Sequence, residues 1–489
     1  MKWLLIFLLT VNASADDLGA MWGTAEAEAE YYELVTIPIP HGIPLRVGAM
    51  DALDDRRLAV GTRKGDIYIL DGAFEPDPNP SYHLFAEGQD EIFGLSHEGK
   101  DLLVTQFGGV NRVTDTDGDG LADRFYTLSN NWGYAEGHEF AFGSKPDSDG
   151  NIWVALGLTG SYHSRQLFRG WCLKVTPDGR TLPVCSGLRS PGGVGANKEG
   201  VMFAIESQGP WNGSCSLKHL KQGGFLGHPA SYNWYEFAEG IPKPELEPES
   251  KSRLAIEKKR VKELVPSAVL FPYIKMGRSI SGFQLNQTKG KFGPFENQLF
   301  LGDYTLSIIM RATTEQINGV WQGACYPFRE GLSTGVMNVE FTPKGQLMAG
   351  GFRTNAQWPV RGLEPYALQR LQWTGKVPFE MQVINIRPEG FRITFTEAVD
   401  PAVASKPETY VFSTYTHIFA AGYGSPEVDH TTPSVTKADV AADGMSLLLH
   451  LDAFQEGHIH DFDLAAMRSA AGKPLLHAKA YYTVNEIPE

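Results

Sequence analysis

One strand pattern recurs along the first three quarters of the chain, and it constrains the fold more than any other feature. Each copy has a turn containing Asp, Gly or Lys, followed by an apolar strand that ends in a small residue. The copies RRLAVGT, KDLLVTQ, GNIWVAL, GVMFAIE, NQLFLGD and GQLMAGG are anchored at Leu58, Leu102, Ile152, Met202, Leu299 and Leu347, with spacings of 44, 50, 50, 97 and 48 residues. A β pattern repeated every 40 to 50 residues or so is typical of β-propeller blades. The long fourth interval accommodates one blade plus an insertion, so the sequence predicts six blades.

The predicted propeller spans residues 31–373, with the insertion at 236–265. The insertion begins with a stretch rich in proline and glutamate, and its residues 251–264 have the pattern of a charged surface helix. The strand YYELVTIPIP from Tyr31 is expected to pair with YALQRLQW from Tyr366. This pairing closes the ring and leaves no open sheet edge.

Residues 376–487 carry a second pattern, of alternating strands separated by turn signals. The strands are FEMQVINI, GFRITFTEAV and SLLLHLDAF, and this spacing predicts a β-sandwich. TFTEAVDP, a later Asp-Gly before an apolar strand, and AAGKPL together resemble a bacterial immunoglobulin-like accessory domain. The expected fold is therefore all-β, a six-bladed β-propeller followed by an immunoglobulin-like β-sandwich.

The N-terminal residues have the pattern of an export signal. Lys2 precedes an apolar run over 3–11 and then Ala13-Ser14-Ala15, which predicts a signal peptide over 1–15. An acidic, alanine-rich segment over 16–30 is expected to be a mobile leader. The protein is therefore expected in the periplasm or outside the cell, with no membrane span. A net charge of −14, from 43 basic and 57 acidic residues, argues against nucleic acid as a partner.

Two of the four cysteines flank a predicted hairpin turn. Cys172 and Cys185 are equally far from Asp178-Gly179, so a hairpin turning there places them directly opposite each other. They form either a disulfide or a pair of buried reduced thiols. The chain has no C-x-x-C-H motif and hence no site for covalent c-type haem.

An aspartate-rich loop has the spacing of a calcium-binding loop. Asp115, Asp117, Asp119 and Asp123 occupy positions 1, 3, 5 and 9, with Gly120 at position 6. This spacing wraps carboxylate oxygens around calcium, and the glycine permits the sharp bend. Position 12 is a tyrosine instead of a bidentate glutamate. The alternative is a loop of Asx turns without an ion; with calcium, its role is structural.

Four further residues are candidates for chemistry. His138 lies on a glycine-rich loop and is either a general base or a structural hydrogen-bonding residue. Arg189 is suited to bind a carboxylate or a quinone oxygen, or to pair with a loop aspartate. Gly209 and Pro210 form a tight turn, which either directs backbone carbonyls at a cation such as calcium or only connects two strands.

Three segments together resemble the soluble quinoprotein glucose/sorbosone dehydrogenase family. They are AEGQDEIFGLS, the His138 loop, and the stretch 187–229 with its G-x-R, E-x-Q-G-P and G-G-x-x-G-x-P motifs. The resemblance spans residues 32–373. The chain is also similar to exported bacterial propellers labelled sorbosone-type dehydrogenases. It implies a six-bladed propeller that binds pyrroloquinoline quinone (PQQ) and calcium. By this match His138 is the catalytic base, Gln89 and Arg189 contact the quinone, and Gly209 and Pro210 offer carbonyls to calcium.

The chain also departs from the family pattern. Ser190 replaces an asparagine, WNGSC replaces an acidic cluster after the Q-G-P turn, and Asp303 to Leu306 stand where the family has a lysine. Because PQQ carries three carboxylates, each missing cation weakens its pocket, although Arg329, Arg353 or Arg361 can compensate from neighbouring loops.

Three functions follow from these observations. The first is a secreted, calcium-dependent, quinoprotein-like oxidoreductase that acts on a sugar or carbohydrate alcohol and passes electrons to an external acceptor. The second is a non-catalytic propeller for carbohydrate binding or adhesion. The third is a calcium-dependent hydrolase or lyase with His138 and either Glu136 or Glu139 as acid and base. The expected partner in each case is a small or polymeric carbohydrate.

Overall fold

The computed structural model describes residues 21–135, 138–354 and 359–489. The predicted signal peptide and residues 16–20 of the predicted leader lie outside this part of the chain. The described chain is dominated by β-strands, and six groups of four strands follow one another with their first strands in contact in ring order. Five of these groups are separate sheets, and the remaining one is half of an eight-stranded sheet. This arrangement is a six-bladed β-propeller.

The blades are regular up-and-down sheets. The first strand, β1 (Tyr32–Thr36), belongs to the last blade. Blade one contains β2 (Val47–Ala52), β3 (Arg57–Thr62), β4 (Ile67–Asp71) and β5 (Ser81–Ala86). Blade two contains β6 (Gly94–Glu98), β7 (Asp101–Gln106), β8 (Gly109–Thr114) and β9 (Arg124–Ser129). Blade three contains β10 (Ala141–Gly143), β11 (Ile152–Leu156), β12 (Trp171–Val175) and β13 (Thr181–Ser186).

The second half of the ring repeats this order. Blade four contains β14 (Pro191–Ala196), β15 (Met202–Glu206), β16 (Cys215–His219) and β17 (Ser267–Phe271). Blade five contains β18 (Ile280–Leu285), β19 (Leu299–Asp303), β20 (Ile308–Ile317) and β21 (Val320–Arg329). Blade six contains β22 (Val336–Phe341), β23 (Leu347–Phe352) and β24 (Tyr366–Trp373), completed by β1.

The six predicted anchors all lie in the second strand of their blades. Leu58, Ile152 and Leu347, for example, belong to β3, β11 and β23 and are at most 3% exposed. A second strand has a neighbour on each side and a blade packed on each face, which explains why the repeat reads as a continuous apolar run. The six-fold repeat predicted from the sequence is confirmed.

Ring closure also follows the sequence prediction. Strand β1 pairs antiparallel with β24, with Tyr32 opposite Trp373 and Thr36 opposite Gln369. The first propeller strand therefore forms the outer edge of the last blade, and the two ends of the ring hold each other.

The strand order defines two faces of the propeller. Connections between blades, and those between the second and third strands of a blade, all emerge at one end, here called the top face. The remaining turns emerge at the opposite end, the bottom face. This division decides which loops can form one site.

The insertion joins β16 to β17 and packs on blade three. It contains a 3-10 helix, Pro229–Phe237, and the helix α2, Leu254–Arg260, where α2 is numbered after α1 (Ala25–Ala29). The ring of Tyr235 lies 4.7 Å from that of Trp171 in the blade-three core. The predicted helix over 251–264 is shorter than expected, because Ser252 pairs with Phe419 as a β-bridge and Val261 is extended.

Residues 21–30 correct the expectation of a mobile leader. They include α1, whose Glu28 is fully buried and accepts a hydrogen bond from Arg329 at 3.0 Å. Glu330 in turn accepts hydrogen bonds from the backbone N–H groups of Met21 and Thr24, at 2.9 and 2.7 Å. The acidic segment is fixed because its carboxylate meets buried cations.

The C-terminal region is a sandwich of two four-stranded sheets. One contains β25 (Met381–Arg387), β26 (Gly390–Phe395), β30 (Ser446–Leu451) and β29 (Val435–Val440). The other contains β32 (Lys479–Val484), β31 (His458–Asp463), β27 (Val411–His417) and β28 (Glu427–Thr431). Helix α3 (Pro401–Ala404) and a 3-10 turn, Pro407–Thr409, lie between β26 and β27. The β-sandwich is as expected; its immunoglobulin-like kinship stays a prediction.

The sandwich and the propeller share one sheet. Strand β32 pairs antiparallel with β21, the outer strand of blade five, with Gly323 opposite Thr483. The sandwich core also takes in Ala324 and Tyr326 of β21. Among the described residues no helix is long and apolar enough to cross a membrane.

The hairpin register of the cysteines agrees with the sequence. Cys172 lies directly opposite Cys185, as the Asp-Gly turn predicts. Both are buried free thiols, as are Cys215 and Cys325, so the second of the two alternatives holds in this structure. Burial raises the pKa of the Cys215 thiol to about 12, which keeps it protonated and unreactive.

Candidate functional site

The topology brings the five residues predicted to act at the quinone or calcium site to one face. Gln89 lies between blades one and two, His138 between blades two and three, and Arg189 between blades three and four. Gly209 and Pro210 lie between the second and third strands of blade four. All these connections are on the top face, whereas the loop from Asp115 to Asp123 joins β8 to β9 on the bottom face.

His138 is the exposed member of this set. Its backbone has φ = 70°, the left-handed region that side chains rarely adopt. Its ring lies 5.8 Å from that of Phe140. Partial desolvation, and then the charges of Arg63 and Arg189, lower its pKa below the ordinary value. At neutral pH the imidazole is therefore neutral and able to accept a proton.

The loop of His138 is held from beneath by Glu139. This carboxylate is fully buried and accepts hydrogen bonds from the backbone N–H of Ala135, at 2.6 Å, and from the hydroxyl of Thr159. Arg169 donates to the carbonyls of Gly133 and Phe140, at 2.7 and 2.9 Å. Glu139 supports the loop and does not reach the surface, while Glu136 lies outside the described residues.

Arg63 is a site residue that sequence reasoning missed. It lies on the top-face turn between β3 and β4, with its guanidinium 5.8 Å from the ring of Phe140 and 5.2 Å from that of Phe352. Its Nε is 3.2 Å from a carboxylate oxygen of Glu91. Its sequence signal was the Thr-Arg-Lys-Gly turn, which the blade repeat places on the same face as His138.

Aromatic side chains surround the two groups. The ring of Phe140 lies 5.3 Å from Phe93 and 5.5 Å from Phe107, and Phe107 stacks on Tyr134 at 6.1 Å. Such a wall combines apolar ring faces with a nearby cation. The site accordingly offers a neutral base and a guanidinium beside an apolar surface.

Arg189 has a different environment from the one that the resemblance implies. It is only 5% exposed. Its Nη1 donates to the carbonyl of Gln208 at 2.8 Å, and its Nε to that of Ser161 at 3.3 Å. The ring of Tyr423, from the C-terminal sandwich, lies over the guanidinium at 5.2 Å. The protein itself therefore uses the donors that were expected to bind a quinone.

The turn at Gly209 is shaped by Arg189 as well. The backbone N–H groups of Gly209 and Asn212 donate to each other's carbonyls, at 2.9 and 3.1 Å. A Cβ atom on Gly209 would lie 2.1 Å from Cζ of Arg189, so only glycine permits the close approach. Among the described residues no metal-ligand cluster lies at this turn. A calcium ion at the carbonyls of Gly209 and Pro210 does not fit, because the buried guanidinium would repel it.

Gln89 is likewise held by the protein. Its side-chain oxygen accepts a hydrogen bond from Nδ2 of Asn111 at 2.9 Å, and its backbone N–H donates to the carbonyl of Gly65 at 3.1 Å. The interaction ties the loop between blades one and two to strand β8. Its expected quinone contact stays a prediction.

The aspartate loop on the bottom face brings three carboxylates together. Oxygens of Asp115, Asp117 and Asp119 lie within 4.8 Å of one another, and Gly120 has φ = 94° at the position that requires it. Asp123 instead accepts hydrogen bonds from the N–H and hydroxyl of Thr116, at 3.0 and 2.5 Å. Three of the four predicted ligands thus converge, without Asp123.

An enclosed space also lies on the bottom face, along the propeller axis. This cavity of about 410 Å³ is lined by the first strands of the blades and by Lys145 and Glu340. Lys145 forms ion pairs with Asp51 and, at 2.7 Å, with Glu340, and Asp51 also accepts from His97 at 2.5 Å. These charges satisfy one another, as in a structural network.

Comparison with known proteins gives distant structural likenesses. No family model matches the chain, and no curated relative matches it. The PQQ-bound aldose sugar dehydrogenase of Streptomyces coelicolor is 15% identical, covers 70% of this chain and 98% of its own, with a TM-score of 0.45. The PQQ domain of Coprinopsis cinerea pyranose dehydrogenase is 10% identical, with coverage of 70% and 97% and a TM-score of 0.46.

A calcium structure of a Trichoderma reesei carbohydrate-active enzyme of family AA12 is 12% identical. The match covers 71% of this chain and 96% of that chain, with a TM-score of 0.47. These values describe a distant likeness over the propeller, and no activity follows from them. The chain is similar in structure to dehydrogenase-like propellers of the soluble PQQ sugar dehydrogenase type.

Proposed function

We propose that the protein is an oxidoreductase that acts on a sugar or carbohydrate alcohol at the top-face site around His138. One observation carries this proposal: an exposed imidazole with a lowered pKa lies near the guanidinium of Arg63 and beside an aromatic wall. A base, a cation and an apolar ring surface are the groups needed to hold a sugar and remove its hydroxyl proton.

The chemistry of these residues follows from their charges. His138 accepts the proton of the reacting hydroxyl on its neutral imidazole. The positive charge of Arg63 stabilises the negative charge that develops on that oxygen. The rings of Phe93, Phe107 and Phe140 exclude water from one side of the site and pack against the apolar face of a sugar.

The quinone belongs to this proposal through Arg63. Its guanidinium would hold a carboxylate of PQQ, and the bound quinone would supply the acceptor for the hydride of the alcohol carbon, which carries both electrons of the oxidation. Reoxidation then requires an external electron acceptor. Arg189 donates to backbone carbonyls and is covered by Tyr423, so we expect no contact between Arg189 and the quinone. Calcium at Gly209 and Pro210 has no part in the proposed reaction.

The test is turnover with a defined cofactor. Purified protein is mixed with PQQ, calcium and a panel of aldoses, and dye reduction and the spectrum of reduced quinone are followed. Turnover that is lost in His138→Gln but kept in His430→Gln, an exposed histidine of the sandwich, supports the proposal. Absence of quinone binding, or full turnover in His138→Gln, would refute it.

A second candidate function is carbohydrate binding without redox chemistry. The observation in its favour is a set of exposed tyrosines on loops of the top face and on the sandwich beside it: Tyr134, Tyr162 and Tyr423 are 52%, 44% and 45% exposed. Exposed aromatic rings are suited to stack on sugars. Saccharide binding without quinone, together with no turnover under any of the conditions above, would favour this function.

The hydrolase or lyase alternative has less support from the described residues. Glu139 is buried and bonded to Thr159 and Ala135, so it does not serve as the acid partner of His138. Release of reducing ends, or opening of a sugar lactone, without any electron acceptor would establish this alternative in place of oxidation.

Calcium is proposed as a structural ion of the aspartate loop. The convergence of Asp115, Asp117 and Asp119 supports this, since calcium prefers carboxylate oxygens. Calcium at about 100 times its dissociation constant is expected to stabilise the fold by about 2.7 kcal/mol. The rise in the unfolding midpoint should vanish in Asp117→Asn.

Export by the signal peptide over 1–15 is part of the proposal and is tested by N-terminal sequencing of the secreted protein.

A further inference from the structure

The C-terminal sandwich reaches over the top face of the propeller. The loop between β27 and β28, residues 418–426, is here called the bridging loop. The carbonyl of Ala420 accepts a hydrogen bond from the backbone N–H of Trp211 at 2.7 Å. The ring of Phe419 lies 5.1 Å from that of Trp211. The bridging loop therefore adjoins the turn that also contains Gly209.

Further contacts fix the bridging loop and its flanking strand to the insertion and to blade four. Phe419 and Ser252 exchange backbone hydrogen bonds at 3.0 and 3.1 Å. The backbone N–H of Ala421 donates to the hydroxyl of Ser250 at 2.9 Å. Beyond the loop, Arg253 pairs with Asp429 at 2.6 Å, and Lys275 pairs with Glu427 at 2.8 Å. Anchors on both sides hold the loop in one position.

Tyr423 is the side chain that this loop presents to the top face. Its ring covers the guanidinium of Arg189, which is 5% exposed, while Tyr423 itself remains 45% exposed. Burial is the main reason that the pKa of Tyr423 is raised; Arg189 lowers it, and Tyr273 and Tyr162 are near enough to raise it further. Tyr162 is 44% exposed and directly follows Ser161, whose carbonyl accepts a hydrogen bond from Nε of Arg189 at 3.3 Å. Two accessible tyrosines therefore belong to the segments that contact this one guanidinium.

Arg189 also connects this tyrosine pair with the proposed active site. The backbone N–H of Leu158 donates to the carbonyl of Arg189 at 2.8 Å, and the hydroxyl of the next residue, Thr159, donates to Glu139 beside His138. Arg189 itself lies directly under Tyr423. Its donors are used by the carbonyls of Gln208 and Ser161. Because this cation is buried under Tyr423, a ligand meets the exposed ring faces first, and these favour a neutral ligand with an apolar side.

We propose that Tyr423 and Tyr162 form an aromatic subsite for a second sugar ring of an oligosaccharide whose reacting end lies at His138. This inference rests on the proposed function and makes the C-terminal sandwich part of the substrate site. Sugar rings present C–H groups on one side and hydroxyls at their edge, and tyrosine offers a ring face and a hydroxyl to match. Continuity with the His138 site argues for the same carbohydrate rather than a separate ligand.

The experiment compares binding of short and long saccharides. Glucose and xylose are titrated calorimetrically into the full chain, in parallel with cellotetraose, maltotetraose and xylotetraose. At least one tetrasaccharide is expected to bind about tenfold more tightly than its monosaccharide, which is the affinity that about 1.4 kcal/mol of stacking provides. Tyr423→Ala should reduce this ratio to about threefold or less, and Tyr423→Phe should retain it.

Tyr126→Ala is the matched control, because Tyr126 is an exposed tyrosine in β9 of blade two, at position 12 of the aspartate loop on the bottom face. Its ratio should equal that of the unmodified protein. An unchanged ratio in Tyr423→Ala, or equal affinity for the monosaccharides and all three tetrasaccharides, would overturn the inference. Binding needs no electron acceptor, so a preserved ratio without sugar oxidation would refute the proposed function alone.

Discussion

Two histidines of this molecule differ in the charge of their neighbours: His138 lies near cations, and His477 lies between carboxylates. His138 is exposed on the top face near Arg63 and Arg189, and its pKa is lowered. His477 is buried in the sandwich, with Nδ1 2.5 Å from Glu380 and Nε2 2.9 Å from Glu28. Burial by itself lowers the pKa of His477, but the two carboxylates outweigh it and raise the pKa to about 9.

The difference shows how surroundings assign a role to one type of side chain. Cations near an accessible imidazole keep it neutral, which suits a base that must accept a proton. Carboxylates around a buried imidazole keep it charged, which suits a fixed ion-pair network that joins α1 to the sandwich. Four predictions test this contrast, from the largest expected effect to the smallest.

The largest effect is expected for His138→Gln. Removal of a general base typically costs about 10² to 10⁴-fold in rate, so kcat/KM for the best sugar should fall by that factor while the unfolding midpoint stays the same. Steady-state kinetics and urea denaturation measure the two quantities. A loss of less than about fivefold would show that His138 is not the base.

His477→Gln should affect stability instead of turnover. Loss of the buried cation leaves Glu28 with Arg329 and Glu380 with Arg311, which is 3.7 Å away, as their remaining cations. The free energy of unfolding should therefore fall by an amount near the lower end of about 3 to 5 kcal/mol. His450→Gln is the control, because its ion pair with Asp439 is largely exposed and worth about 1 kcal/mol or less. Equal losses in the two variants would contradict the structural role of His477.

The same network predicts a pH dependence. The folded-state pKa of His477, about 9, lies above the ordinary value of 6.5. Its contribution to stability is therefore fully present below pH 6.5 and is lost as the pH rises through 9. Urea denaturation at pH 6, 7.5 and 9.5 should show this decline in the unmodified protein, and His477→Gln should remove it.

The smallest effect is expected in the pH profile of Arg63→Met, considered apart from the fall in turnover that its proposed contacts with substrate and quinone predict. Because Arg63 lowers the pKa of His138, its loss should move the acidic limb of the kcat/KM profile to higher pH, most clearly at low salt. Arg63→Lys keeps the charge and should leave the limb in place. An unmoved limb in Arg63→Met would mean that desolvation and Arg189 set the pKa of His138 without Arg63.

The strand framework was readable from the sequence because its cause is local. Leu58 and the other anchors lie in second strands that are buried on both faces, so each copy of the repeat carries its own signal. Pairing of β1 with β24 followed from the need to cover a sheet edge. The opposition of Cys172 and Cys185 followed from one Asp-Gly turn.

The site was less predictable because its contacts join distant parts of the chain. Arg63 meets Phe352 of blade six, and no local pattern records that contact. Arg189 was correctly placed on the top face, but Tyr423 comes from a region with no counterpart in the propeller resemblance. Glu28 was read as part of a mobile segment because its partners, Arg329 and His477, follow some 300 residues or more later.

The sheet shared by β21 and β32 has a consequence for folding. Blade five covers its outer edge only when residues 479–484 pair with β21, so the last strand of the chain completes a blade in the middle of the ring. Pairings between such distant segments form slowly. Until the C-terminus arrives, β21 presents an open edge on which other strands can add. Blade five is therefore expected to complete its sheet late in folding, once residues 479–484 have paired with β21.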